Sequence, residues 1–243
     1  MRGVGRPDDS VGNEVMTKRI GIVISLVVSY VLVSSVLHYL VFPEPVPDSS
    51  DLPRSGTIVA NPAIQSKFVY RETFVETAGR EFEWDNFIEP GGGPIDIPHV
   101  HPHNREIFRV IDGEIRFVID GEDHVVRAGE EIVAEPGSVH AFQNSSGRPA
   151  YMISRFEPAE DGPWEELARE GLLLDSQFVQ IGRVGGMGSA SPLQMMVFGS
   201  RFKTVGNLAG PPIWLQKVAA FLVAPTARLF GVHAYYPPRQ SGR

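Results

Sequence analysis

The residues in this sequence with the clearest chemical potential are two histidines one residue apart, His99-Val100-His101. In a strand, side chains at i and i+2 point to the same face, so both imidazoles stand on one wall. Two imidazoles on one wall make half of a metal site. The competing reading is a pair of solvated surface histidines. Glu106 lies five residues beyond His101, and His140 brings a third imidazole further along the chain. Cysteine is absent, which rules out disulfides, Fe–S clusters, thiolate zinc sites and a cysteine nucleophile.

The surroundings of these residues have a pattern of their own. Gly93 stands six residues before His99, and Gly113 seven after Glu106. A second block reads Gly129-x5-Glu135-x-Gly137-x2-His140-x3-Asn144. The two blocks resemble the two motifs of the cupin superfamily, G-x5-H-x-H-x4-E-x6-G and G-x5-P-x-G-x2-H-x3-N, as found in a single cupin_2-type domain. The first block matches at every fixed position. The second has Glu135 where the family has proline, although Pro136 follows at once. That departure bears on the turn before Gly137 and touches no presumed ligand.

The resemblance implies that His99, His101, Glu106 and His140 are metal ligands lining the inside of a small barrel. Imidazole and carboxylate donors suit a divalent transition metal: Fe, Mn, Zn, Ni or Cu. Four protein ligands on an octahedral ion leave two positions for substrate, water or dioxygen, whereas a tetrahedral zinc is closed and structural. His103 competes with His99 but lacks the upstream glycine and the spacing to Glu106, so it is expected at the rim or behind the ligands. Phe108, Phe142 and Asn144 are further pocket candidates. For Phe108 and Phe142, as for Trp84 and Phe117, ordinary core packing is the simpler expectation. Asn144-Ser145-Ser146 fits a glycosylation sequon by pattern, but its place inside the second motif speaks against that use. Arg109, Arg116 and Arg155 are expected on the surface.

The strands that must position these groups are legible as alternation. The expected fold is all-β, a double-stranded antiparallel jelly roll forming a small barrel, with residues 67–158 as the cupin domain. Phe68 to Tyr70 and Phe74-Val75 read as one strand or two, and Glu81 to Asp85 alternates with Phe82 and Trp84 on one face. Asp112-Gly113 and Asp120-Gly121 both read as type I′ hairpin turns, the first joining Ile107–Ile111 to Ile115–Ile119. His124 to Arg127, Ile132 to Ala134, His140 to Gln143 and Tyr151 to Phe156 complete about eight strands.

Outside the barrel, residues 20–42 read IGIVISLVVSYVLVSSVLHYLVF, with no Asp, Glu, Lys or Arg. As a helix this stretch is about 34 Å long, matching a hydrocarbon core about 30 Å thick. A signal peptide is the rival reading, but the run is long for one and no A-x-A cleavage site follows. Arg6, Lys18 and Arg19 precede the segment, so the positive-inside rule places residues 1–19 in the cytoplasm and the cupin domain outside it. Residues 43–66, rich in Pro and Ser, read as a linker.

Residues 159–243 read as a helical tail. One helix is expected from Pro163 to about Leu174 and another from Ser191 to Phe202. A third, apolar helix runs from Pro212 to Ala224 and is ended by Pro225. The last helix packs on the barrel, dimerises, or lies in the membrane interface. A net charge of -7 argues against nucleic acid as a partner.

Two function classes follow. The first is a membrane-anchored, metal-dependent enzyme acting on a small molecule outside the cytoplasm. Oxygen-dependent cleavage, isomerisation and decarboxylation are reactions the resemblance brings with it, which makes a dioxygenase-like oxidoreductase one form of this reading. The second is a non-catalytic module that binds or senses a small molecule. A zinc-stabilised structural domain is a third. The resemblance also admits a homodimer paired through edge strands.

Overall fold

The computed structural model describes residues 9–43, 52–78, 80–158, 179–186, 188–202 and 206–236. It divides into two units, residues Met1–Glu44 and Pro45–Arg243. The first is one helix, α1 (Asp9–Val36), continued by a wider π turn over Leu37–Val41. It begins earlier than the apolar run because Asp9 to Arg19 is polar but still helix-forming, with Glu14 and Lys18 paired at 2.7 Å one turn apart. Residues Asn13–Val41 are long and apolar enough to cross a membrane by length and composition. A membrane span and a signal sequence share that property.

The second unit is a sandwich of two antiparallel sheets. The strands are β1 (Ile58–Asn61), β2 (Ser66–Glu72), β3 (Phe82–Ile88), β4 (His99–Val100), β5 (Asn104–Asp112), β6 (Glu114–Ile119), β7 (Glu122–Arg127), β8 (Glu131–Ala134), β9 (Val139–Gln143), β10 (Ala150–Pro158) and β11 (Asn207–Leu208). One sheet has the order β1-β2-β3-β10-β5-β8 and the other β11-β4-β9-β6-β7. Along β3, Phe82, Trp84, Asn86 and Ile88 point inward while the residues between them are more exposed, the period-two pattern that places a strand between core and solvent.

Several elements differ from the sequence expectation. Asp120-Gly121 is the expected two-residue turn: both residues have positive φ (50° and 87°) and Ile119 pairs with Glu122. Asp112-Gly113 is not a hairpin, since β5 and β6 belong to different sheets. There the chain crosses the sandwich, and Gly113 (φ 86°) is needed because a Cβ would come within 2.8 Å of the Ala150 Cβ. Phe74-Val75 sits in a turn and not a strand, its apolar side chains notwithstanding, because Phe74 tucks into the core from that turn. β1 lies inside the stretch read as linker, where Pro62 directly after it disguises a short edge strand.

The tail is less purely helical than expected. Residues 163–174 lie outside the described residues. α2 (Pro192–Arg201) starts where read, with the Ser191 hydroxyl capping the Gln194 amide. α3 (Ile213–Leu229) runs through Pro225 for another turn. A proline forfeits one helical hydrogen bond but its φ is already helical, and the buried contacts of Ala224, Ala227 and Arg228 hold the last turn in place. β11, two residues long, has no strand signature at all in the sequence.

The tail also contributes to the barrel core. Ile181, Phe198 and Phe202 share one apolar cluster with Val59, Phe68, Tyr70, Phe74, Phe82, Trp84 and Phe156. A second cluster, including Phe108, Phe117 and Phe142, fills the other end of the sandwich. Tail and barrel therefore share one core. Replacing Phe198, which is 1% exposed, by alanine is expected to lower the unfolding free energy of the whole domain by about 3–5 kcal/mol. Urea unfolding followed by near-UV circular dichroism checks this; separate transitions for tail and barrel would contradict it.

Candidate metal centre

The site is assembled from both sheets. His99 on β4 lies directly across the strand ladder from His140 on β9. His101 follows two residues after His99, and Glu106 comes from β5 of the opposite sheet. One donor atom from each of His99, His101, Glu106 and His140 lies within 4.8 Å of the others. The reach across the sandwich is short: Glu106 Oε2 stands 2.9 Å from His140 Nε2 and 3.4 Å from His101 Nε2.

The backbone fixes this geometry locally. The Gly137 amide donates to the His101 carbonyl at 2.9 Å and the Ser138 amide to the Glu135 carbonyl at 3.0 Å. Pro136-Gly137 thus forms the turn before His140, with Gly137 at φ 86° in the position that requires a left-handed residue. Glu135 leaves that turn intact and accepts a hydrogen bond from Arg105 at 3.2 Å. Gly93 lies under the same strand: a Cβ there would come within 2.6 Å of the Phe142 carbonyl oxygen. The glycine spacing of both blocks therefore follows from close backbone approaches and turns around the ligand strands.

The chemistry of the donor set fits a metal. Nδ1 of His99 lies 3.0 Å from the Ile97 carbonyl and Nδ1 of His140 3.1 Å from the Ser138 carbonyl. Carbonyls accept only, so each Nδ1 carries a proton. His99 Nε2 presents a lone pair, while His140 Nε2, 2.9 Å from Glu106 Oε2, donates to the carboxylate in the metal-free site and would give up that proton to a metal. His101, Glu106 and His140 are buried and His99 partly so. The four can hold one divalent metal ion, whose identity the donors leave open.

The electrostatics of the metal-free site keep His99 neutral and Glu106 ionised, and favour the charged form of His140. Burial, then the neighbouring His140 and His101, push His99 down from 6.5 to about 3. Burial would raise Glu106, but hydrogen bonds from His101 and His140 outweigh it and bring the carboxyl down from 4.5 to about 2. Burial also opposes the charged form of His140, yet its contact with Glu106 wins and raises it.

Residues 87–156 match the Cupin_2 family model, whose description is a cupin domain. This stretch is a cupin domain. All four donors lie within it. Solved structures of similar shape include an oxalate oxidase in complex with glycolate, 27% identical, covering 48% of this chain and 64% of its own, with a TM-score of 0.36. A predicted oxalate decarboxylase from Thermotoga maritima is 16% identical, covering 47% of this chain and 100% of its own, with a TM-score of 0.38. KdgF from Halomonas sp. is 18% identical, covering 40% and 82%, with a TM-score of 0.34. At these scores the likeness assigns neither substrate nor reaction. No curated protein matches the sequence.

Other candidates from the sequence fall outside the cupin metal cluster. His103 is exposed. Phe108 stands 6.0 Å from the His140 ring and packs with Phe117 and Phe142, so both Phe108 and Phe142 are core residues and Phe108 borders the site. Asn144 is a correction: it is fully buried and donates to the Ile88 and Arg148 carbonyls, tying down the loop after β9 instead of facing the ligands. Its burial also argues against glycosylation. Arg109 is exposed, Arg116 pairs with Asp123 at 2.6 Å, and Arg155 with Glu157 at 3.1 Å.

Two neighbours were not legible in the sequence. Phe156 packs its edge against the His101 ring at 4.6 Å between centroids. β11 pairs with β4 so that Leu208 opposes His99, and a Cβ on Gly206 would lie 3.5 Å from His101 Cε1. The tail thus runs as a strap along the ligand strand.

Linkage gives the pH behaviour of the metal-free cupin. His99 has a lower pKa folded than unfolded, so the unfolded chain binds its proton first; this contribution is complete above about 6.5 and lost as pH falls toward 3. Glu106, also depressed, loses its contribution between about 4.5 and 2. His140 is raised and acts in the opposite sense, contributing below its ordinary value and losing that as pH rises. The Tm of metal-free His99→Gln is expected to fall less steeply than wild type between pH 6.5 and 4. Parallel melting curves across that range would contradict the assignment.

Proposed function

We propose that this chain is a membrane-anchored, metal-dependent cupin enzyme of dioxygenase- or isomerase-like type, acting on a small molecule outside the cytoplasm. The observation that carries the reading is the convergence of three imidazoles and one carboxylate within 4.8 Å. A structural role for the metal alone fits less well, because the surrounding apolar clusters give the domain a core that does not depend on it. A bound metal would supply Lewis acidity or a site for oxygen chemistry.

The chain's own residues set the remaining conditions. Nδ1–H bonds to Ile97 and Ser138 hold two ligand rings in orientation. Phe156 and Phe108 border the ligands with apolar surface, which strengthens electrostatic interactions inside the site. Glu106 is committed as a ligand, so no separate general base is assigned. The strap beside His99 favours a compact substrate. The same strap supports the second reading, a module that holds a small ligand without turning it over.

Metal content of the detergent-purified chain, measured by mass spectrometry on wild type and His101→Ala, tests the proposal. About one transition metal per wild-type chain is expected, with most of it lost in the variant. Iron then calls for an oxygen-uptake screen, and zinc or manganese for isomerase assays. Wild type that stays metal-free after reconstitution overturns the ligand assignment.

A further inference from the structure

α3 has two unlike faces. One is lined by Ala220, Ala224 and Ala227, all buried, and packs closely on α2, where a Cβ on Gly199 would lie 3.4 Å from that of Ala220. The other carries Trp214 (66% exposed), Leu215, Val218 and Leu229, and ends in Phe230 (78% exposed) just beyond the helix. These positions lie on one side of a helix about 25 Å long, clustered at its two ends, with half-buried Leu222 and buried Pro225 between them. An apolar stripe whose two ends the described residues leave uncovered marks an interaction surface.

We propose that this stripe docks on the lipid bilayer. The inference rests on the reading of the N-terminal helix as a membrane anchor. Residues 42–57 join that helix to β1 and span roughly 60 Å at most when fully extended. An anchored domain is therefore confined within that distance of a bilayer, and a weak apolar contact becomes effectively intramolecular. Within α3 the charged side chains are Lys217, exposed, and Arg228, buried. With a net charge of -7 on the chain, attraction to anionic headgroups is not the driving force. The contact is burial of apolar side chains, with aromatic Trp214 and Phe230 at opposite ends of the stripe, suited to the boundary of headgroups and acyl chains. It is accordingly insensitive to salt.

The full chain is reconstituted in phosphatidylcholine vesicles with or without bromine on the acyl chains, and tryptophan emission is compared between wild type and Trp214→Phe. The other tryptophans are Trp84 and Trp164, and the apolar run 20–42 has none. Wild type is expected to lose a larger fraction of its emission to brominated lipid than the variant does, to the same extent at low and high salt. Equal fractional quenching in the two, with the chain retained on vesicles through alkaline carbonate washing, overturns the docking and leaves the anchor standing. A blue-shifted, unquenched Trp214 whose shift depends on protein density overturns it in favour of a second copy of the chain. Release of wild type by carbonate overturns the anchor, and the docking with it.

Discussion

Burial of Glu106 is the constraint on which the rest of this domain depends. Its carboxylate is 4% exposed inside an apolar sandwich, where an uncompensated charge costs several kcal/mol. Compensation comes from His140 and His101 at 2.9 and 3.4 Å, and both belong to the opposite half of the sandwich. The two sheets are therefore held in register by a polar contact at their centre as well as by phenylalanines around it. A metal ion would take over this compensation, since it needs the carboxylate ionised and the proton that His140 donates to the carboxylate displaced.

The backbone features of the two glycine-spaced blocks serve that contact. Gly93 passes under β9 where no side chain fits. Gly113 carries the chain from the sheet of Glu106 to the sheet of His140. Gly137 turns the chain into His140 and binds the carbonyl of His101. These glycines shape the turns and close approaches of the ligand-bearing strands, which ties their spacing to that of the ligands. The exchange of proline for Glu135 is harmless because Pro136 supplies the fixed φ of the turn.

The ligands were legible in the sequence because their chemistry is local: an H-x-H pair, and a glycine-spaced block ending in a histidine. Strands with clean alternation, such as β3 and β6, were legible for the same reason. Asp112-Gly113 was misread because a two-residue turn signal states that the chain reverses, not which sheet receives it. Asn144 was placed near the ligands by its position in the motif, while its hydrogen bonds point to the loop after β9. β11 escaped notice because two residues hold no period; it is a strand only because β4 offers an open edge beside His99. Pro225 was read as a stop because intrinsic propensity was weighed without the tertiary packing that overrides it.

The strap gives the site a property that its ligands alone do not have. A cupin sandwich with an open mouth would set its selectivity through the residues at the rim. Here the tail pairs with the ligand strand, and Phe198 and Phe202 join the core cluster that includes Phe156, which contacts His101. The tail and the surroundings of His101 thus belong to one set of packed contacts. α3 adjoins α2, and α2 supplies Phe198 to that cluster. Among the described residues the tail contributes no ligand, yet through Gly206 and this cluster it shapes the surroundings of His101.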